Sequence, residues 1–334
     1  MKAIVIGQQV GIEHLELVER PMPEPGPGDV VLRMRAASIN YRDLTILLGT
    51  SRARFSLPLV PLSDGVGEVV AIGDKVTRFK PGERLAGTFA QGWLSGGNDT
   101  PYPTLGGPLD GMLAEYVRLP ETGVVRVPAH LSDEEAASLP CAALTAWQAL
   151  VTDGHLRAGD SVLLQGTGGV SIFALQFAVM SGARAIVMSS SDAKLERARA
   201  LGAAGTINYT RTTLWHPEVR ALTDGPGVDH VLEVGGPGTF AQSLQAIRFG
   251  GQINVIGYLG GLEGDINPLL ILQRRAKVRA ISVGPRDAFE AMNRAIALSR
   301  LRPVIDRVFP WTEAAAAFDH MRCGRHFGKI ALKF

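Results

Sequence analysis

Between residues 161 and 283 the chain alternates short, almost uninterrupted apolar runs with helical or Gly-rich stretches. The runs are Ser161–Gln165, Ala185–Ser189, Gly205–Asn208, His230–Val234, Gln252–Ile256 and Val278–Val283. Apolar runs of this length without polar alternation read as strands buried on both faces, and intervening helices make them parallel neighbours in one sheet. Before residue 127 the pattern differs: β-branched runs such as Lys2–Ile6, Val30–Met34, Gly67–Ile72 and Leu113–Val117 are separated by turns such as Pro25–Asp29 and Pro81–Glu83, which predicts a small β-rich barrel. Ser132-Asp133-Glu134-Glu135 reads as a capping box that opens a helix, with a second helical run over Ala143–Leu150. Helices over Ala288–Ser299 and Glu313–Met321, with strands at Val304–Phe309 and Gly328–Phe334, close the chain. The fold class is therefore α/β: a doubly wound parallel sheet with crossover helices on both faces, preceded by a β-rich unit over 1–127.

Ser161–Gln165 runs straight into Gly166-Thr167-Gly168-Gly169-Val170-Ser171, and Ile172, Leu175, Gln176 and Val179 follow at helical spacing. Strand, glycine turn and helix together form a dinucleotide cradle: glycines let a pyrophosphate approach main-chain N–H groups, and the helix N-terminus supplies unpaired donors. Ser171 replaces the usual third glycine with another small residue. The next strand should end at the adenosine ribose, where an acid would select NAD. This chain has Ser189, Ser190 and Ser191 there, followed by Lys194, while Asp192 is placed to cap the next helix; three hydroxyls and a lysine favour NADP(H). Lys194 and Arg197 also fit a plain solvated helix face. Gly235, the Ile256-Gly257 pair and Val283 end later strands, where backbone faces a bound dinucleotide.

Bulk properties narrow the classes. At 334 residues, with 46% apolar and 20% charged residues, the chain can bury a large core. Lys and Arg total 34 against 32 Asp and Glu, so the basic footprint of a nucleic-acid binder is missing and no such partner is expected. The apolar opening Met1–Gly7 is too short for a signal peptide, no run reaches membrane-spanning length, and Cys141 and Cys323 alone build neither a disulfide framework nor a Cys-rich zinc site. A cytoplasmic protein with a small-molecule substrate is the expectation.

The joint order of Gly28-Asp29-Val30, Ala37 through Asp43, Pro61 through Val70, Phe79 through Arg84, Leu139 through Trp147 and the glycine turn resembles the medium-chain dehydrogenase/reductase superfamily, in particular its zinc-free, quinone-oxidoreductase-like branch. That resemblance implies a GroES-like catalytic domain made of 1–127 and 284–334, a Rossmann nucleotide-binding domain over 128–283, a substrate cleft at the domain junction, and a homodimer paired through the last nucleotide-domain strand. Where the alcohol dehydrogenase branch carries zinc ligands, this chain has Asn40, Ser63-Asp64 and Cys141, too few for a tetrahedral zinc, and Phe89–Gly111 holds no cysteine for a structural one. Cys141 reads as a small buried hydrophobe rather than a nucleophile. By the same resemblance Asn40 and Tyr41 line the nicotinamide end as hydrogen-bond donors, with contact to the cofactor phosphates the alternative for Tyr41; Thr145, a third catalytic candidate, and Trp147 face the cofactor, Tyr209 meets the adenosine end, and Phe327, Gly328 and Lys329 follow His326 on a tail that closes on the nicotinamide. Ser63 and Trp93 join Tyr41 and Trp147 as substrate-contact candidates. For Trp147 and Tyr209, packing is an equal alternative. The Gly-rich insert from Gly92 through Asn98 to Pro108 is either a lip over the cleft or a loop filled by its own Trp93 and Tyr102.

Without a metal to polarise a carbonyl, oriented donors must stabilise the oxygen that gains charge, which favours quinones and α,β-unsaturated carbonyls as hydride acceptors. Two alternatives stay open at this stage: an alcohol dehydrogenase or carbonyl reductase of other specificity, and a noncatalytic NADP-binding protein.

Overall fold

Five consecutive buried residues in Ser161–Gln165 need cover on both faces, and a doubly wound sheet supplies it. The computed structural model describes residues 1–51, 53–97 and 101–334. It divides into two units, Met1–Leu144 with Val283–Phe334, and Thr145–Ser282.

In the second unit the parallel sheet runs in the order Gly205–Asn208, Arg184–Ser189, Ser161–Gln165, Val228–Glu233, Ile247–Val255, Lys277–Ala280. The order reverses direction between Ser161–Gln165 and Val228–Glu233, the switch point at whose carboxyl end such sheets bind ligands. Two strands differ from expectation. Ile247–Val255 begins well before the predicted Gln252, because a register shift opposite Val228 and His230 absorbs the Gly250-Gly251 pair. The edge strand ends at Ala280 rather than Val283: Ile281 makes the last bond, to the Val255 carbonyl, and Val283 adopts φ 45°, which no strand accommodates.

The first unit is organised on the eleven-residue strand Asp29–Ile39, which pairs antiparallel with Asp64–Ile72, Tyr116–Pro120 and the C-terminal Lys329–Lys333. The last pairing sets Ile330 opposite Ile39, so the tail returns to the turn that begins at Asn40. The predicted strand Leu113–Val117 lies later, at Tyr116–Pro120; Leu113 is instead drawn to the N-terminal strand, where its carbonyl accepts from Ile4.

The boundary between units falls at Leu144, not 127. Ser132 and Glu135 do form the capping box of the helix Asp133–Ala137, but that helix belongs to the first unit: the buried Ser38 hydroxyl donates to the Ala137 carbonyl at 3.0 Å. A continuous helical stretch follows, with widened π-type turns at Leu139–Ala143 and Gln148–Thr152 flanking Leu144–Trp147.

Candidate active site

The glycine turn has the shape its sequence requires. Gly166 sits at φ 75°, a conformation that favours glycine, and Gly168 caps the helix Gly169–Met180 without any side-chain hydrogen bond to the first turn. A Cβ added at Gly166 or Gly168 would meet nothing within 4 Å, so open space lies directly against the main chain there. Unpaired N–H groups, a helix N-terminus and that space together fit a pyrophosphate. Thr167 is buried, and Val170 lies half-buried in the first helical turn. Ser171 shows why a third glycine is dispensable: its hydroxyl is buried and donates back to the Gln165 carbonyl at 2.7 Å, binding helix to strand.

Beside the turn lies a buried network that local sequence did not reveal. Glu233, wholly buried, accepts from Gln165 Nε2 at 2.8 Å, from the Gly235 and Gly236 amides at 2.9 Å each, and from Thr239 and Ser243. Gln165 Oε1 in turn accepts from the Val234 and Gly235 amides. The loop after Val228–Glu233 is therefore fixed against the strand that feeds the glycine turn. Ile256 and Gly257 complete this end of the sheet, both donating to the Glu233 carbonyl. The only sequence signal was a lone acid ending an apolar strand.

At the end of Arg184–Ser189 the three serines divide their work. Ser189 is buried and its hydroxyl accepts from the Ser191 amide at 3.3 Å, while Ser190 is exposed. Ser191, not Asp192, caps the helix Asp192–Ala200, accepting from the Lys194 amide. Asp192 is already helical, and its carboxylate is taken by Asn208 at 2.7 Å and by Arg211. Tyr209 follows the neighbouring strand, 41% exposed, with its amide on the Ser189 carbonyl, so it stands at the same edge as the serines. Thr145 and Trp147 are buried in the second unit, the indole packing edge-on against Phe177 at 5.4 Å.

The first unit gathers a second polar group of residues, distant in sequence. Asn40 follows the long strand and caps the helix Tyr41–Leu47, with Asp43 accepting its backbone N–H at 2.9 Å. Tyr41, the first helical residue, is 47% exposed; Arg42 pairs with Asp43 and donates to the Leu105 and Gly107 carbonyls, making it an anchor of that loop. Burial raises the Asp43 carboxyl above its ordinary range, against the lowering effect of Arg42. Ser63 and Asp64 are wholly buried; Asn40 Nδ2 reaches Ser63 Oγ at 3.4 Å and Ser63 donates to Asp64 at 2.7 Å. The Cys141 amide donates to the other Asp64 oxygen at 3.2 Å.

Into this group comes Lys329, only 3% exposed. Its Nζ donates to Asn40 Oδ1 at 2.6 Å and to the Ile39 carbonyl at 2.8 Å, and lies 3.8 Å from Asp64. These contacts hold its ammonium within the first unit. Neighbouring Phe327 is buried with its amide on Asp306, and Gly328, at φ 84°, passes so close to the Val304 carbonyl that a Cβ would stand 2.4 Å from it. Trp93 is buried, stacked on Tyr102 at 6.0 Å with its Nε1 on the Gly96 carbonyl, so the insert is filled by its own aromatics; Asn98 lies outside the described residues.

The donors around Asn40 do not fit a tetrahedral zinc, which takes three thiolate, imidazole or carboxylate ligands and an open position. The amide oxygen is held by an ammonium and the Ser63 hydroxyl is spent on Asp64. Of Asn40, Ser63, Asp64 and Cys141, this leaves the Cys141 thiol and the Asp64 carboxylate, the latter 3.8 Å from a fixed cation, fewer than the three ligands zinc takes.

Two family models match: an alcohol dehydrogenase GroES-like domain over residues 26–129 and a zinc-binding dehydrogenase domain over 169–298. A zinc-type alcohol dehydrogenase-like protein of Schizosaccharomyces pombe is 39% identical, over 100% of this chain and 99% of its own length. Among solved structures, an NAD-dependent alcohol dehydrogenase is 36% identical, with full coverage of both chains and a TM-score of 0.93. The 2-octenoyl-CoA carboxylase reductase CinF, in complex with NADP and 2-octenoyl-CoA, is 27% identical, covering 99% of this chain and 87% of that one, with a TM-score of 0.89.

Proposed function

Because the chain belongs to the medium-chain dehydrogenase/reductase superfamily, we propose that it is a zinc-independent reductase that uses NADPH to reduce conjugated carbonyl compounds, quinones and enones. The observation that carries this reading is the Lys329–Asn40–Ser63–Asp64 group, a hydrogen-bonding set unsuited to a tetrahedral metal, three of whose members stand where the resemblance expects zinc ligands. When bound, the dinucleotide supplies the hydride. Gly166, Gly168 and the first amides of Gly169–Met180 hold its pyrophosphate, and Ser190, Lys194 and Tyr209 receive the adenosine end. Asn40 and the exposed Tyr41 offer donors to the carbonyl oxygen, and with donors in place of a Lewis acid, acceptors that spread the developing charge through conjugation are favoured. The relative solved with NADP and an enoyl thioester supports both the cofactor and the conjugated acceptor.

A second reading, oxidation of an alcohol or reduction of a simple carbonyl, is favoured by the relatives named as alcohol dehydrogenases. One experiment separates them. Chelator-treated protein should oxidise NADPH with quinones and enones and ignore simple alcohols and ketones. Activity that vanishes with chelator and returns with zinc, or that is confined to alcohols, would overturn the proposal. Tight NADPH binding with no turnover on any acceptor would instead indicate a noncatalytic protein. The proposed setting is the cytoplasm; among the described residues no helix is long and apolar enough to cross a membrane. A homodimer through Lys277–Ala280 is part of the same reading, since that edge strand is exposed at all four positions beside the exposed Leu269 and Leu272.

A further inference from the structure

The hydrogen bonds around Asn40 all run one way. Lys329 Nζ can only donate, so the group it meets at 2.6 Å must be the amide oxygen of Asn40 and not its nitrogen. Nδ2 is thereby turned toward Ser63, at 3.4 Å. Ser63 has one proton, committed to Asp64 at 2.7 Å, so its oxygen is left to accept from Asn40. Asp64 ends the series, wholly buried and 3.8 Å from the ammonium where it began. A cation at one end and a carboxylate at the other fix the direction of every link between them.

We propose that Lys329 is a positioning residue for carbonyl reduction: by holding Asn40 Oδ1 it keeps the two Nδ2 protons facing away, one toward Ser63 and one for the acceptor's carbonyl oxygen. The two ends of a primary amide are nearly equal in shape, so only hydrogen bonding decides which faces where. Released from Lys329, the amide can turn over and present its own oxygen, which repels the oxygen that gains charge in the transition state. Lys329 touches neither acceptor nor hydride in this role. It also gives the buried Asp64 a counter-ion. The inference rests on the proposed carbonyl reduction and names the residue that orients its donor.

The test uses three variants of the full chain. Asn40→Asp keeps an acceptor for Lys329 and removes the donor; kcat for a quinone should fall about 100-fold, the usual loss for one such donor, with NADPH affinity unchanged and the folded state verified by a cooperative melt. Lys329→Met alone strands Asp64 without its counter-ion and can fail to fold, so Lys329→Met is combined with Asp64→Asn. The double variant should fold and bind NADPH normally, yet show a kcat reduced toward that of Asn40→Asp. Wild-type kcat in the double variant would overturn the proposal and leave Lys329 a purely structural ion. Hydrogen exchange of the Asn40 side-chain amide, assigned by its loss in Asn40→Asp, reads the orientation without turnover. Slow exchange in the wild type and fast exchange in the double variant support the hold; equal rates overturn it. If the wild type reduces no acceptor, the functional reading fails, while the exchange rates still decide whether Lys329 fixes the amide.

Discussion

Replacing Gly168 by alanine separates what the glycine turn does for the chain from what it does for a ligand. Gly168 has φ −77° and ψ −176°, open to any residue, and an added Cβ meets no atom within 4 Å. The protein without nucleotide therefore suffers no clash. The methyl group narrows the unfolded ensemble, which stabilises by about 0.4–1 kcal/mol. Alanine is a poorer N-cap than glycine, at a cost of about 0.5–1 kcal/mol. The two nearly cancel, and since ~1 kcal/mol moves the midpoint of a domain of this size by ~2–4 °C, melting should stay within about 3 °C of wild type. Binding has no such compensation. The methyl occupies the space through which a phosphate oxygen reaches the first helical amides, and losing one charged hydrogen bond costs about 1.5–3 kcal/mol. NADPH should then bind about 10–150-fold more weakly. Fluorescence titration and thermal melting on the same sample read both quantities. Unchanged affinity would refute the pyrophosphate assignment, and a collapsed midpoint would show that the chain itself needs the glycine. Gly166→Ala is the contrasting case: at φ 75° it carries about 1–2 kcal/mol of backbone strain and should lower both affinity and stability.

Three further outcomes follow from other parts of the molecule. Iodoacetamide applied near the ordinary thiol value of about 8.5 should label the exposed Cys323 well ahead of the half-buried Cys141, whose thiol desolvation and Asp64 push up; equal labelling in peptide mass spectrometry would contradict that shift. His230 is lowered below 6.5 mainly by burial, with Arg248 adding to it and Asp160 and Asp229 opposing it. The unfolded state therefore takes the proton first, so stability is complete above that value and falls as pH drops through the folded one; urea midpoints should decline on acidification, less steeply in His230→Gln, and an unchanged slope would be the refutation. For the dimer, Leu272→Asp or Val278→Asp, at positions 71% and 41% exposed, should convert a dimer into a monomer by light scattering, and a monomeric wild type would dismiss the interface.

What could be read from the chain alone depended on how local the determining interaction is. The glycine turn was legible because φ 75° at Gly166 and the open space beside Gly168 are demands on single positions, met by one residue type. The six-stranded parallel sheet was legible because burial on both faces leaves a visible apolar run. The helix cap slipped by one residue, from Ser191 to Asp192, since both are good caps and only the partners of Asp192, Asn208 and Arg211, remove it from that task. The domain boundary slipped further, because the bond from Ser38 to the Ala137 carbonyl spans 99 positions. Lys329 is the extreme case: the bond that commits it to Asn40 spans 289 positions and follows from the antiparallel register of Lys329–Lys333 on Asp29–Ile39. The resemblance set Asn40 at the nicotinamide end and Lys329 on the tail that closes on it, and neither position announced that the two side chains meet. A lysine's surroundings are set by where its strand pairs, and the strand that receives this one lies at the other end of the chain. The chemistry of the Asn40 group is thus a consequence of sheet register, and a one-residue slip of that strand would turn the ammonium to the opposite face and leave Asp64 buried without its cation.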